Sequence, residues 1–210
     1  MARLTRLLPL VGACALSCAS YKGTAQDADL QAVARDGGWR RVDDVPFVHQ
    51  RDAKDCGAAV LSTVLRYYDP DLGQAGERAT IDHALRQKPG EGLAASELRD
   101  YAREQGFAAY VFKGKFEDLT HELAASRPVI VGVYKPLSSK EALAHYEVFL
   151  GYHPEKERVL TFDPAHGPRE NTLSGFMTEW ERAGEVTLVV MPEDGAKSTT
   201  SEARSSASTP

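Results

Sequence analysis

Cysteine is scarce in this chain of 210 residues: there are three, and two of them, Cys14 and Cys18, stand close to the N-terminus. Cys56 is left alone in the remainder, which excludes a disulfide framework and a zinc site built from cysteine pairs. An excess of basic residues is also lacking. Thirty Asp and Glu against 25 Lys and Arg give a net charge of -5. That is the wrong balance for a surface that grips phosphate backbones, so no nucleic-acid partner is expected. The apolar run "LLPLVGACALS" is far too short to cross a bilayer. No internal repeat is found, and the six histidines show no recognised ligand spacing. Neither a metal nor another cofactor is expected.

What is present begins with the N-terminus. "MARLTR" carries two arginines, the apolar run follows, and small residues precede Cys18, the layout of a secretory signal. "ALSC" resembles the lipobox of bacterial lipoproteins, although Ala15 stands where leucine is usual; "VGAC", ending at Cys14, is a second candidate with a very short apolar region. The resemblance implies lipidation at Cys18 as the new N-terminus, with an ordinary cleaved signal as the alternative. Ala19 after Cys18 resembles the pattern that sorts to the outer membrane, facing the periplasm.

Residues 19–41 are polar with one short, weakly helical patch, and are expected to form a tether; Gly37-Gly38 reads as a flexible turn. Residues 193–210 are rich in Ser, Thr and Ala without apolar periodicity, and are expected to be disordered. The domain is therefore placed at 42–192, after a signal at 1–18. Within it, helices are expected from "CGAAVLSTVLRYY", "ERATIDHALRQ", "AASELRDYAREQG", "FEDLTHELAAS" and "SGFMTEWERAG". Strands are expected from "FAAYVFK", "PVIVGVY", "EVTLVVM" and a hairpin of "HYEVFLGY" and "RVLTFDP". Helices come first and most strands follow, so the fold class is α+β, a helical half packed on an antiparallel sheet.

Cys56 opens the most apolar helix, where the positive end of the helix dipole favours a thiolate. Asp55 before it is expected to cap the helix through its carboxylate. Gly57 after it lets a neighbour approach the backbone. A lone thiol presented at the end of a rigid core helix is placed as a nucleophile. It needs a base. His83 and His121 have charged helical neighbours and read as surface residues, while His153 and His166 lie beside Pro or Gly in turns. His145 is expected as the first residue of a strand entering the core, rigid yet reachable. Asp163 ends the next strand, where a carboxylate can hold the imidazole and fix its tautomer. Gln50, six residues before Cys56, has an amide that can donate to a developing oxyanion together with the Cys56 N–H.

"VPFVHQRDAKDCGAAVLSTVLRYY" and "AHYEVFLGYHPEKERVLTFDPAHG" resemble the nucleophile segment and the histidine–aspartate segment of the bacteriocin-processing, double-glycine-type cysteine peptidases. The likeness covers residues 45–191. It implies a papain-like fold and thiol-peptidase chemistry on a peptide or protein, with Cys56 as nucleophile, His145 as base and acid, Asp163 as orienting residue and Gln50 in the oxyanion hole. It also implies peptide-export machinery as a partner. Rival readings are amine acyl transfer on the same groups, peptidoglycan hydrolysis, and a peptide-binding module that does not cut. The loops "KPGEGLAA" and "KPLSSKEALA" are expected to shape specificity, the second bordering the cleft.

Overall fold

The stretch 58–65 is too continuously apolar for a surface helix, and it organises the molecule. Ala58, Ala59, Val60, Leu61, Val64 and Leu65 have no solvent exposure, as a helix apolar all round requires. The computed structural model describes residues 21–52, 54–85, 92–137 and 142–193. Its elements run β1 (Gln26–Asp27), α1 (Leu30–Arg35), β2 (Arg40–Arg41), α2 (Cys56–Tyr68), a 3-10 turn (Gly73–Gly76), α3 (Arg78–Leu85), α4 (Ala95–Glu104), β3 (Phe107–Lys113), α5 (Phe116–Ala124), β4 (Val129–Pro136), β5 (Ala142–His153), β6 (Arg158–Asp163), β7 (Gly167–Thr172), α6 (Leu173–Arg182) and β8 (Val186–Pro192).

The strands form one antiparallel sheet in the order β1-β7-β6-β5-β4-β8-β3, with β2 added beside β5. Side chains alternate across a strand, and here the alternation sorts two cores. Ile130, Val148, Leu150, Phe162, Leu188 and Val190 pack with α2, α3 and α4. Val129, Val131, Val133, Phe149 and Val189 pack with Leu119 and Leu123 of α5 and Phe176 and Trp180 of α6. Each large side chain so buried contributes about 1.5–3 kcal/mol. The fold is the expected α+β, with helices on both faces of the sheet.

Four expectations are corrected. The segment 21–41 is not a free tether: Ala25, Val33 and Trp39 are buried, and β1 and β2 pair with β7 and β5. The Gly37-Gly38 turn is held against the core, because a Cβ on Gly38 would overlap the His153 ring. His153, expected in a turn, ends β5 and is buried. Strand β5 also starts three residues before His145, at Ala142. The segment 1–18 with Cys18, the tail from 194, the first half of "KPGEGLAA" and the middle of "KPLSSKEALA" lie outside the described residues.

Candidate active site

Three elements bring Cys56, His145 and Asp163 together. Cys56 is the first residue of α2, a free and buried thiol. Gly57 behind it allows α4 to approach: a Cβ there would meet Leu93 at 3.3 Å and Leu98 at 3.4 Å. His145 sits in β5 opposite Val133 of β4. Its Nε2 lies 2.9 Å from Asp163 Oδ1, and the Cys56 sulfur adjoins the ring closely enough to favour its protonated form. With Nε2 taken by the carboxylate, Nδ1 is the nitrogen left for sulfur. Asp163 is the last residue of β6, as expected.

The carboxylate of Asp163 is itself fixed. The Ala165 N–H donates to Oδ1 at 2.8 Å and His166 Nδ1 lies 3.1 Å from Oδ2. Burial disfavours its charge, but the His145, His166 and Ala165 partners outweigh that and hold it well below the usual carboxylate range. Burial likewise works against a charged imidazole at His145, yet the hydrogen bonds and charges of Asp163 and Cys56 push it up to about 10. His166 was not singled out from the sequence; its place three residues after Asp163, across a Pro-containing turn, was the available signal.

Asp55 is not the expected helix cap. Its side chain makes no bond to the first turn of α2. The carboxylate turns backward, accepting from Arg51 N at 3.0 Å and Asp52 N at 3.3 Å, and it pairs with the buried Arg78 of α3. It therefore shapes the loop that carries Gln50. That loop is also tied by Val48 N to Thr63 Oγ1 at 3.1 Å. Gln50 Nε2 donates to Asp52 O at 2.9 Å, and Gln50 Oε1 is buried with no partner among the described residues. An amide nitrogen carries two hydrogens, so one N–H remains beyond the bond to Asp52. Burial, together with the charge of Cys56, pushes the Tyr146 hydroxyl up to about 12.

One further group adjoins the pair. His145, Glu147 and Asp163 each place a possible ligand atom within 4.8 Å of the others. Glu147 is already ion-paired with Lys135. A metal ion there would lie against that ammonium and would compete for the His145–Asp163 hydrogen bond.

The sequence profile of the Peptidase C39 family matches residues 44–195. The chain belongs to the Peptidase C39 family. It is a cysteine peptidase. Among its relatives is the lactococcin-G-processing and transport ATP-binding protein LagD of Lactococcus lactis subsp. lactis, 29% identical over 137 residues, which are 64% of this chain and 17% of LagD. The chain thus spans less than a fifth of that relative. The peptidase domain of Streptococcus ComA, a bi-functional ABC transporter of a quorum-sensing pathway, matches with a TM-score of 0.57 and 25% identity over 71% of this chain and 100% of that domain. A double glycine motif protease from an AMS/PCAT transporter, solved with its leader peptide, shares the fold with a TM-score of 0.54 and 22% identity, over 72% of this chain and 94% of its own. This C39 peptidase carries β1, α1 and β2 before the matched region.

Proposed function

We propose that this peptidase cuts a peptide or protein in the bacterial envelope through Cys56, His145 and Asp163. The observation that carries the reading is the single imidazole of His145, hydrogen-bonded to Asp163 and adjoining the Cys56 sulfur. The Cys56 thiolate attacks the scissile carbonyl carbon; a C–S bond forms and the carbonyl π pair moves to oxygen. The Cys56 N–H and the free N–H of Gln50 stabilise that oxygen. The C–N bond then breaks as His145 gives its proton to the leaving amine. Water attacks the thioester and gives a proton to His145; the C–S bond breaks, its electron pair returns to the Cys56 sulfur, and the carboxylic acid leaves. Asp163 keeps the imidazole in one tautomer throughout. The unpaired Gln50 Oε1 supports a place for substrate, because a buried orphan acceptor costs about 1–3 kcal/mol until a donor arrives.

The sequence features at Cys18 support lipid anchoring in the outer membrane, facing the periplasm. The names of LagD and ComA support peptide-export machinery as a partner. Incubation with a panel of peptides, with and without an added primary amine, tests the reaction. Cleavage abolished in Cys56→Ala is the expected result. Cleavage at the wild-type rate in Cys56→Ala would overturn the assignment, and capture of the acyl group by the amine alone would replace hydrolysis with acyl transfer.

A further inference from the structure

Behind the His145–Asp163 pair lies a line of buried charges that the peptidase reaction does not by itself require. Glu147 is two residues after His145 in β5, so both side chains leave the same face of the strand. It lies one residue beyond the Val148–Phe162 pairing of β5 with β6, and so beside Asp163. Its carboxylate is within 4.8 Å of both partners. Lys135 of β4 pairs with Glu147, and also with Glu179 of α6 at 3.0 Å. Glu179 accepts from the Tyr21 hydroxyl, and the Lys135 ammonium lies 5.2 Å from the centre of the Tyr21 ring. Lys135, Glu147 and Glu179 are all nearly inaccessible to solvent.

We infer that Glu147 is a positioning residue that holds His145 in its protonated form, with Lys135, Glu179 and Tyr21 completing the device. The inference rests on the catalytic assignment proposed above. The charges alternate along the line: Asp163, His145, Glu147, Lys135 and then Glu179, whose acidic group shares a hydrogen bond with Tyr21. The innermost four groups are two carboxylates and two basic side chains, and Glu179 adds a further acid whose proton affinity burial raises. Two cations match two carboxylates only while His145 is charged. When it loses its proton, Asp163 and Glu147 are neighbouring buried carboxylates with only the Lys135 ammonium, on the far side of Glu147, left to balance them, which is costly. The other titratable groups near this line are Cys56 from α2 and His166 beyond Asp163; a Cys56 thiolate favours the imidazolium as well. Tyr21 lies outside the matched family region, which begins at residue 44, so the closing group of the line comes from the added N-terminal segment.

The test is the alkylation rate of Cys56 in the full chain against pH, read by mass spectrometry on its own peptide, beside an NMR titration of His145. The wild type is expected to show an alkaline limb where His145 loses its proton. In Glu147→Gln that limb and the His145 titration should move down by about one pH unit, the usual effect of removing one close charge. The double variant Lys135→Met with Glu147→Gln removes both partners, keeps the fold testable if the single variant does not fold, and should move the limb the same way by less. Tyr21→Phe should give a smaller shift of that sign. A limb that stays at the wild-type pH in folded Glu147→Gln and in the double variant would overturn the inference. His145→Ala separates the two readings: if it leaves the rate and its pH dependence unchanged, the catalytic assignment falls first. If His145→Ala removes the limb while Glu147→Gln leaves it in place, only the role of Glu147 is lost.

Discussion

The backbone N–H of Gln50 donates to the carbonyl oxygen of Pro164 at 3.0 Å. One bond thus joins the loop before the proposed nucleophile to the turn after the proposed orienting aspartate. His49 Nδ1 reaches the same oxygen at 3.3 Å. The two halves of the site, the start of α2 and the end of β6, are therefore set against each other by main chain and not only by the reacting side chains.

Replacing Asp163 with Asn should lower turnover by on the order of 100-fold to 10,000-fold, as for other imidazoles that lose their carboxylate. The His145 proton should also leave at lower pH. His145 is raised from 6.5 to about 10 in the folded protein. Its contribution to stability is therefore full below about 6.5 and is lost as pH rises through about 10. Melting temperatures from pH 6 to 10.5 should fall over that window in the wild type and much less in Asp163→Asn. Parallel curves would show that the carboxylate does not hold the charge.

Asp55→Ala should destabilise the fold by about 3–5 kcal/mol, because it strands the buried Arg78 and removes the acceptor of Arg51 N and Asp52 N. A helix cap alone would cost about 1 kcal/mol. Denaturant unfolding of the variant decides between these two magnitudes.

Gln50→Ala should reduce kcat by about 100-fold or more while leaving the alkylation of Cys56 near the wild-type rate, since an oxyanion donor acts only once a carbonyl is attacked. Equal losses in both assays would assign Gln50 to loop structure.

Gly38→Ala should destabilise by about 1–3 kcal/mol, because the new methyl overlaps His153. Gly37→Ala should change stability by less than about 0.5 kcal/mol, because nothing lies within 4 Å of its added carbon. Thermal melts of the pair report whether the segment 21–41 is held to the body in solution.

The parts of this structure that could be read from sequence are those where periodicity is strong. Helix α2 is strongly apolar, α4 carries Leu98, Tyr101 and Ala102 at helical spacing, and β5 and β6 flank a polar turn. The meeting of Cys56, His145 and Asp163 followed from placing each at the end or edge of such an element. Strand β7, "GPRENT", escaped because its polar residues give no alternation; its pairing with β6 supplies the order. Strands β1 and β2 are two residues each, too short for any pattern. A capping aspartate and one that salt-bridges a distant arginine look alike locally, which hides the role of Asp55; Arg78 is 23 residues away. Glu147 was hidden for the same reason: in "HYEVFLGY" it reads as one polar residue, and its partners come from β4 and α6.

Tyr21 is locked in place by Glu179, and the Lys22 N–H donates to Pro136 O at 2.8 Å. With a lipid on Cys18, three peptide units separate the acyl chains from a residue that cannot move freely. Fully stretched, they reach about 11 Å. Under the lipid anchoring proposed above, the catalytic body would sit on a short footing with little freedom to swing or rise, and lengthening the 19–20 segment by a flexible insert would widen the range of distances at which it can cut.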